Sequence, residues 1–186
     1  MRTNITAITS YANALAAAIS PTAFIILLIP YGLRWGLTSL LVPLHTPILS
    51  ALIFSAATIL GIAAHEALHV VGFVMFGHAP WREVRVGIKR SGIVTPFARC
   101  HATLTISAYR HAALLPGVTL GLIPGSTALV SGNGWLALWS ALMGMGALGD
   151  VATFWLLRNI PSSTRICNGA IVDEGKFESE GAGEKI

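Results

Sequence analysis

PILSALIFSAATILGIAAHEALHVVGFVMF, residues 47–76, decides how the rest of the chain is read. Its only formal charge is Glu66. A helix that crosses a bilayer needs roughly 20 apolar residues, so this segment can span with length left over for tilt. A carboxylate at that depth costs about 3 kcal/mol unless it is paired or serves a site. A hydrogen bond to a neighbouring helix would be the plain explanation for Glu66. Its immediate neighbours offer another.

His65-Glu66-Ala67-Leu68-His69 is an HExxH motif. On a helix, side chains four residues apart project from one face, so His65 and His69 can grip a single metal ion. Glu66, one position along, is then placed to take a proton from water as a general base.

Working outward, the 186 residues are 54% hydrophobic and 11% charged, with a mean hydropathy of +0.70. Soluble domains carry about twice that charged share. Three more apolar stretches are long enough to span, at about Ala14 to Leu33, Ala112 to Val130 and Trp135 to Leu157. Pro21, Pro116 and Pro124 fall inside them, which membrane helices tolerate when neighbours satisfy the freed carbonyls. The expected fold is an all-α integral membrane protein of about four transmembrane helices. Residues 1–160 form one membrane domain, and 161–186, rich in Gly, Glu and Ser, a partly flexible cytoplasmic tail.

Of twelve Lys and Arg, six (Arg82, Arg85, Lys89, Arg90, Arg99 and Arg110) lie between the second and third spans. That clustering marks a cytoplasmic loop against lipid headgroups, not a nucleic-acid surface, despite the net charge of +4. Arg34 stands alone between the first two spans, and 131–134 carries no charge. The chain is therefore expected in the cell membrane, multi-pass, with both termini cytoplasmic. No short apolar core with a cleavage site follows Arg2, so no removable signal peptide is expected. Cys100 and Cys167 both fall on the reducing side, which argues against a structural disulfide.

Within the basic loop, Val84, Val86 and Ile88 alternate with Arg85, Gly87 and Lys89, and Arg90-Ser91-Gly92 reads as a turn before Ile93-Val94-Thr95. A short cytoplasmic β-hairpin between the second and third spans follows. Gly117, Gly121 and Gly125 share a helical face and should let another helix approach closely.

A catalytic zinc needs a third protein ligand and an open position for water. A metzincin would place a histidine where Met75 stands, and Glu83 lies outside the helix. Asp150 fits by depth. The second and fourth spans run parallel, and at 1.5 Å per residue His65 lies about 13 Å, and Asp150 about 10 Å, from the cytoplasmic end.

HEALHVVGFVMFG, ISAYRHAALLPG and Gly149-Asp150 with the following FWLLRNIP together resemble the putative zincin peptidase family of prokaryotic membrane proteins, which is similar in plan to the site-2 proteases. The resemblance covers roughly residues 47 to 175. It implies Zn2+ on His65, His69 and Asp150, with Glu66 catalytic, and intramembrane cleavage of a membrane protein or peptide substrate within the lipid bilayer. Site-2 proteases carry an Asn and Pro-rich stretch before their metal-binding Asp, whereas Met143 to Leu148 precede Gly149-Asp150 here.

Two other readings use the same residues: a membrane metal-binding or transport protein, and an inactive regulatory scaffold. Cys100-His101 lacks partner ligands at zinc spacing and reads as a loop or interface feature. His45, His78 and His111 are isolated and read as interfacial.

Overall fold

Long apolar runs with few helix breakers become long helices, and the computed structural model describes residues 5–41, 48–91, 93–167 and 170–172. Helix α1 is Ile5–Trp35, followed by the short α2, Leu37–Leu41, and by α3, Ile48–Gly77, which carries the HExxH segment. Strands β1 (Val84–Ser91) and β2 (Ile93–Cys100) come next, then β3 (Leu104–Thr105). Helix α4 (Ile106–Pro116) continues through a π-helical turn, Gly117–Leu122, into α5, Ile123–Ser131. Helices α6 (Gly134–Gly146) and α7 (Leu148–Leu157) and strands β4 (Arg165–Cys167) and β5 (Ala170–Val172) complete the order.

Three helical stretches, Ala7–Trp35, Ile48–Gly77 and Ile106–Ser131, are long and apolar enough to cross a membrane. The pair α6 and α7, bent by 43° at Ala147, supplies a fourth if it counts as one span. Each stretch matches an expected span, but the third begins at Ile106 instead of Ala112. Thr105 sets that start, because its side chain accepts the N–H of Ala108 as an N-cap. Arg110 is therefore a residue of α4 and not of the basic loop. The other change is the bend in the fourth stretch, which falls among Gly144, Gly146 and Gly149, where small residues weaken a straight continuation.

Two strands pair in the segment between α3 and α4. β1 and β2 run antiparallel from Val84↔Cys100 to Ser91↔Ile93. A second sheet was not expected: β4 pairs with β3 through Leu104↔Ile166, and with β5 through Ile166↔Ile171. It joins the entry to α4 with the chain beyond α7, and Ile106 N donates to Thr164 O at 2.8 Å. His45, Gly92 and the segment from Asp173 onward lie outside the described residues.

Helix α3 ends where His78 adopts a left-handed backbone (φ 51°) and Ala79 N–H reaches back to Phe73 O at 3.3 Å. That closure satisfies a carbonyl the last turn would leave bare. At the other end of the bundle, Tyr31 and Trp35 of α1 hold the α5–α6 turn. The Tyr31 hydroxyl donates to Gly132 O at 2.6 Å, and Trp35 Nε1 donates to Leu129 O at 3.0 Å.

Small residues bring the helices together. The expected glycine face meets α6: a Cβ on Gly121 would lie 3.1 Å from Gly144 Cα, and one on Gly117 the same distance from Ala147 Cβ. Gly72 is tighter still, since a Cβ there would lie 2.7 Å from Ala112 Cα. Backbone cannot yield as a side-chain tip can. Gly72→Ala should therefore push α3 from α4 and cost about 1–3 kcal/mol, the usual range for overpacking. Thermal unfolding in detergent measures it, and an unchanged midpoint would show that the two helices do not need this approach.

Candidate metal centre

His65 and His69 project from one face of α3 because they stand four residues apart on a regular helix. The bend at Ala147 aims the first turn of α7, and with it Asp150, at the same place. His65 Nε2 lies 3.0 Å from Asp150 Oδ2, and His69 Nε2 lies 3.4 Å from Asp150 Oδ1. One ligand atom from each of the three falls within 4.8 Å of the others. The imidazole rings meet edge to face at 4.9 Å between centroids. Among the described residues this is the one group of three metal-ligating side chains.

The second contact of His69 defines what the cluster can hold. Its Nδ1 lies 3.1 Å from Ala112 O. A carbonyl can only accept, so Nδ1 carries the proton and donates. Nε2 is left facing a carboxylate oxygen, and two lone pairs at 3.4 Å call for a cation or a proton between them. Ligands at 2.0–2.1 Å from a tetrahedral zinc stand about 3.3 Å apart, close to the 3.0 and 3.4 Å observed. A histidine whose other nitrogen donates to a carbonyl is also the usual support for a metal ligand. The residues therefore fit a zinc ion. Helix α7 helps, since a carboxylate in a first turn meets the positive end of the helix dipole.

The side chains of His65, His69 and Asp150 are 14%, 13% and 24% exposed. The cluster is sheltered yet open enough to be reached. Glu66 is half-buried, and the backbone of Ala98 in β2 lies beside its carboxylate. The hairpin thus lies against the motif. Below the cluster, Phe73 and Tyr109 stack at 6.0 Å between ring centroids, and Phe73 belongs to a core with Leu104, Ile106, Leu157 and Ile166.

The sequence reading missed two neighbours of the site, the carbonyl of Ala112 and the backbone of Ala98. Both are backbone groups at alanines, so no residue type could have signalled them. Cys100-His101 does gain a neighbour: Cys167 Sγ donates to His101 O at 3.3 Å, although both cysteines are free. His111 Nδ1 contacts Ser107 O within its own helix, and its ring lies 5.6 Å from Phe76. Neither it nor His78 joins the cluster.

A family model described as putative zincin peptidase matches residues 58–165, a range that holds His65, Glu66, His69 and Asp150. No curated protein and no solved structure matches the chain.

Burial pushes the Cys100 thiol above the ordinary thiol range. A raised value means less thiolate at neutral pH, so Cys100 is a poor nucleophile there. Its alkylation by iodoacetamide should be slow at pH 7 and should still be rising beyond the pH at which an unburied thiol levels off. Mass-spectrometric labelling rates at several pH values test this, and fast labelling at pH 7 would contradict it.

Proposed function

Since the chain belongs to the putative zincin peptidase family, we propose that it is a zinc-dependent intramembrane metallopeptidase, similar in plan to the site-2 proteases. Its substrate is a membrane protein or membrane-associated peptide. The observation that carries the reading is the convergence of His65 and His69 from one apolar helix with Asp150 from another. The first of these helices is long and apolar enough to cross a bilayer, and the second belongs to the bent pair that supplies a further span if it counts as one.

His65, His69 and Asp150 would hold the zinc ion. Zinc in such a site supplies a Lewis acid that makes water acidic enough to attack a carbonyl near neutral pH. Glu66 takes the proton from the attacking water and then delivers it to the amine nitrogen. The new C–O bond forms first, the C–N bond breaks once the nitrogen is protonated, and water ends divided between the two products. Ala112 O keeps the His69 proton on Nδ1, so that Nε2 remains a ligand.

A helical substrate hides its carbonyls in its own hydrogen bonds and must unwind before it can be cut. Strand β2 is well placed to receive the unwound segment, because its end passes beside Glu66 and an extended peptide can add to a strand edge. A metal carrier would need the three ligands but has no use for a carboxylate next to them. That difference favours hydrolysis over transport. The charge pattern supports a reading in which the protein lies in the cell membrane with the hairpin and both termini on the cytoplasmic side.

Glu66→Gln should retain about one zinc per chain by elemental analysis while turnover falls by roughly 10²- to 10⁴-fold, the usual weight of a general base. Asp150→Ala should lose the metal as well. Comparative proteomics of membranes holding wild type or Glu66→Gln would reveal a substrate as the protein left uncut in the variant. Full turnover by Glu66→Gln would sink the peptidase mechanism. For topology, a reporter fused to either terminus should be active in the cytoplasm; a reporter active only outside would reverse the orientation.

A further inference from the structure

Helix α7 is ten residues long and carries Asp150 in its first turn and Leu157 at its end. Its start is not held by a straight run of α6, because the two are bent by 43°. A short rigid rod bent away at one end takes its pose from the other end and from its packing. The other end is gripped by one side chain. Arg110 Nη2 donates to Leu157 O, the last carbonyl of α7, at 2.8 Å and also to Ile160 O, three residues beyond the helix; Leu157 O accepts Ile160 N–H as well, at 3.1 Å, because its i+4 residue is Pro161 and has no N–H. Leu157 is fully buried.

Arg110 stands two residues before Ala112, the carbonyl of which fixes the His69 ring. One turn of α4 therefore touches both halves of the metal centre, α3 through Ala112 and α7 through Arg110. Resting on the zinc reading above, we infer that Arg110 is a positioning residue: it ties the end of α7 to α4 and thereby sets how far Asp150 reaches toward His65 and His69. Other ties nearby act elsewhere. Ile106 N to Thr164 O and Ser107 N to Ser162 O join α4 to the chain beyond α7, not to the helix that bears Asp150.

Arg110 is also expensive to keep. It lies inside an apolar stretch, and its Nε is buried without a hydrogen-bond partner among the described residues. Burying a guanidinium incompletely paired is unfavourable, which fits a residue retained for geometry. Lysine keeps the charge but lacks the planar fork that spans two carbonyls.

The test compares full-length wild type, Arg110→Met, Arg110→Lys and Thr105→Ala. Thr105→Ala removes the N-cap of α4 and leaves Arg110 in place, so it reports what loosening the helix alone does. Cobalt(II) replaces zinc as the probe, with its visible spectrum reporting ligand geometry and competition reporting affinity. Arg110→Met should bind cobalt at least tenfold more weakly with an altered spectrum, and Arg110→Lys should recover part of both. Thr105→Ala, at a similar unfolding midpoint, should keep the wild-type spectrum. A wild-type spectrum and affinity in Arg110→Met, or the same change in Thr105→Ala, would overturn the positioning role.

Wild type that takes up neither cobalt nor zinc would instead overturn the metal reading. The positioning role is then decided by hydrogen exchange of residues 148–157 in the metal-free protein. Arg110→Met must speed that exchange more than Thr105→Ala does, and equal rates would refute it. The same exchange measurement applies if Arg110→Met is too unstable for titration, with Arg110→Lys in its place.

Discussion

A carboxylate set between two imidazoles inside an apolar bundle governs the described part of this chain. In the proposed membrane setting Asp150 could not remain charged and alone, because an isolated charge in hydrocarbon is costly. His65 and His69 relieve it only if α3 and α7 hold their side chains within ligand distance, and that demands helices that approach closely without a hydrophobic force to drive them together. Gly72 admits the backbone of Ala112, and Gly61 admits Met143 and Trp139. The approach of α4 does more than fill space, since it delivers the carbonyl that fixes the His69 ring. Packing and chemistry share the same residues here.

The hairpin and the small second sheet tie this bundle where the helices end. β3 and β4 bring together segments separated by two helical spans, and Leu104, Ile106, Leu157 and Ile166 are buried in one core with Phe73. Phe73 is one turn beyond His69 on the same helix. Core and cluster are therefore continuous, and a change in the sheet has a short path to the ligands. β2 has the shortest path, because Ala98 faces Glu66 directly.

Local signals made the helices and the motif legible. Unbroken apolar length gave the spans, and four-residue spacing put His65 and His69 on one face. Asp150 was readable because a lone acid in an apolar stretch demands a reason and its depth matched that of His65. Other features depend on partners that no local pattern encodes. Thr105 looks like any loop threonine until Ala108 is seen above it, so the start of α4 was set too late and Arg110 was counted with the loop. Strands β3, β4 and β5 hold two or three residues each, too few to show a period. The bend at Ala147 has no proline to announce it.

Helices α1 and α3 hold 31 and 30 residues, about 45 Å of helix each, against a hydrocarbon layer of about 30 Å. That excess has to be absorbed by leaning, by projecting, or by thickening the lipid around them. The cluster sits well inside α3 and not at an end, so its depth follows whichever accommodation the lipids impose. Arg158, stacked over Trp155 at 3.7 Å beside the end of α7, gives that helix an anchor of the kind that settles at headgroups. In the proposed membrane setting, a thin bilayer would mismatch these helices more than a thick one. Acyl-chain length and sterol-like ordering would then be variables that act on the centre from outside, without binding to it.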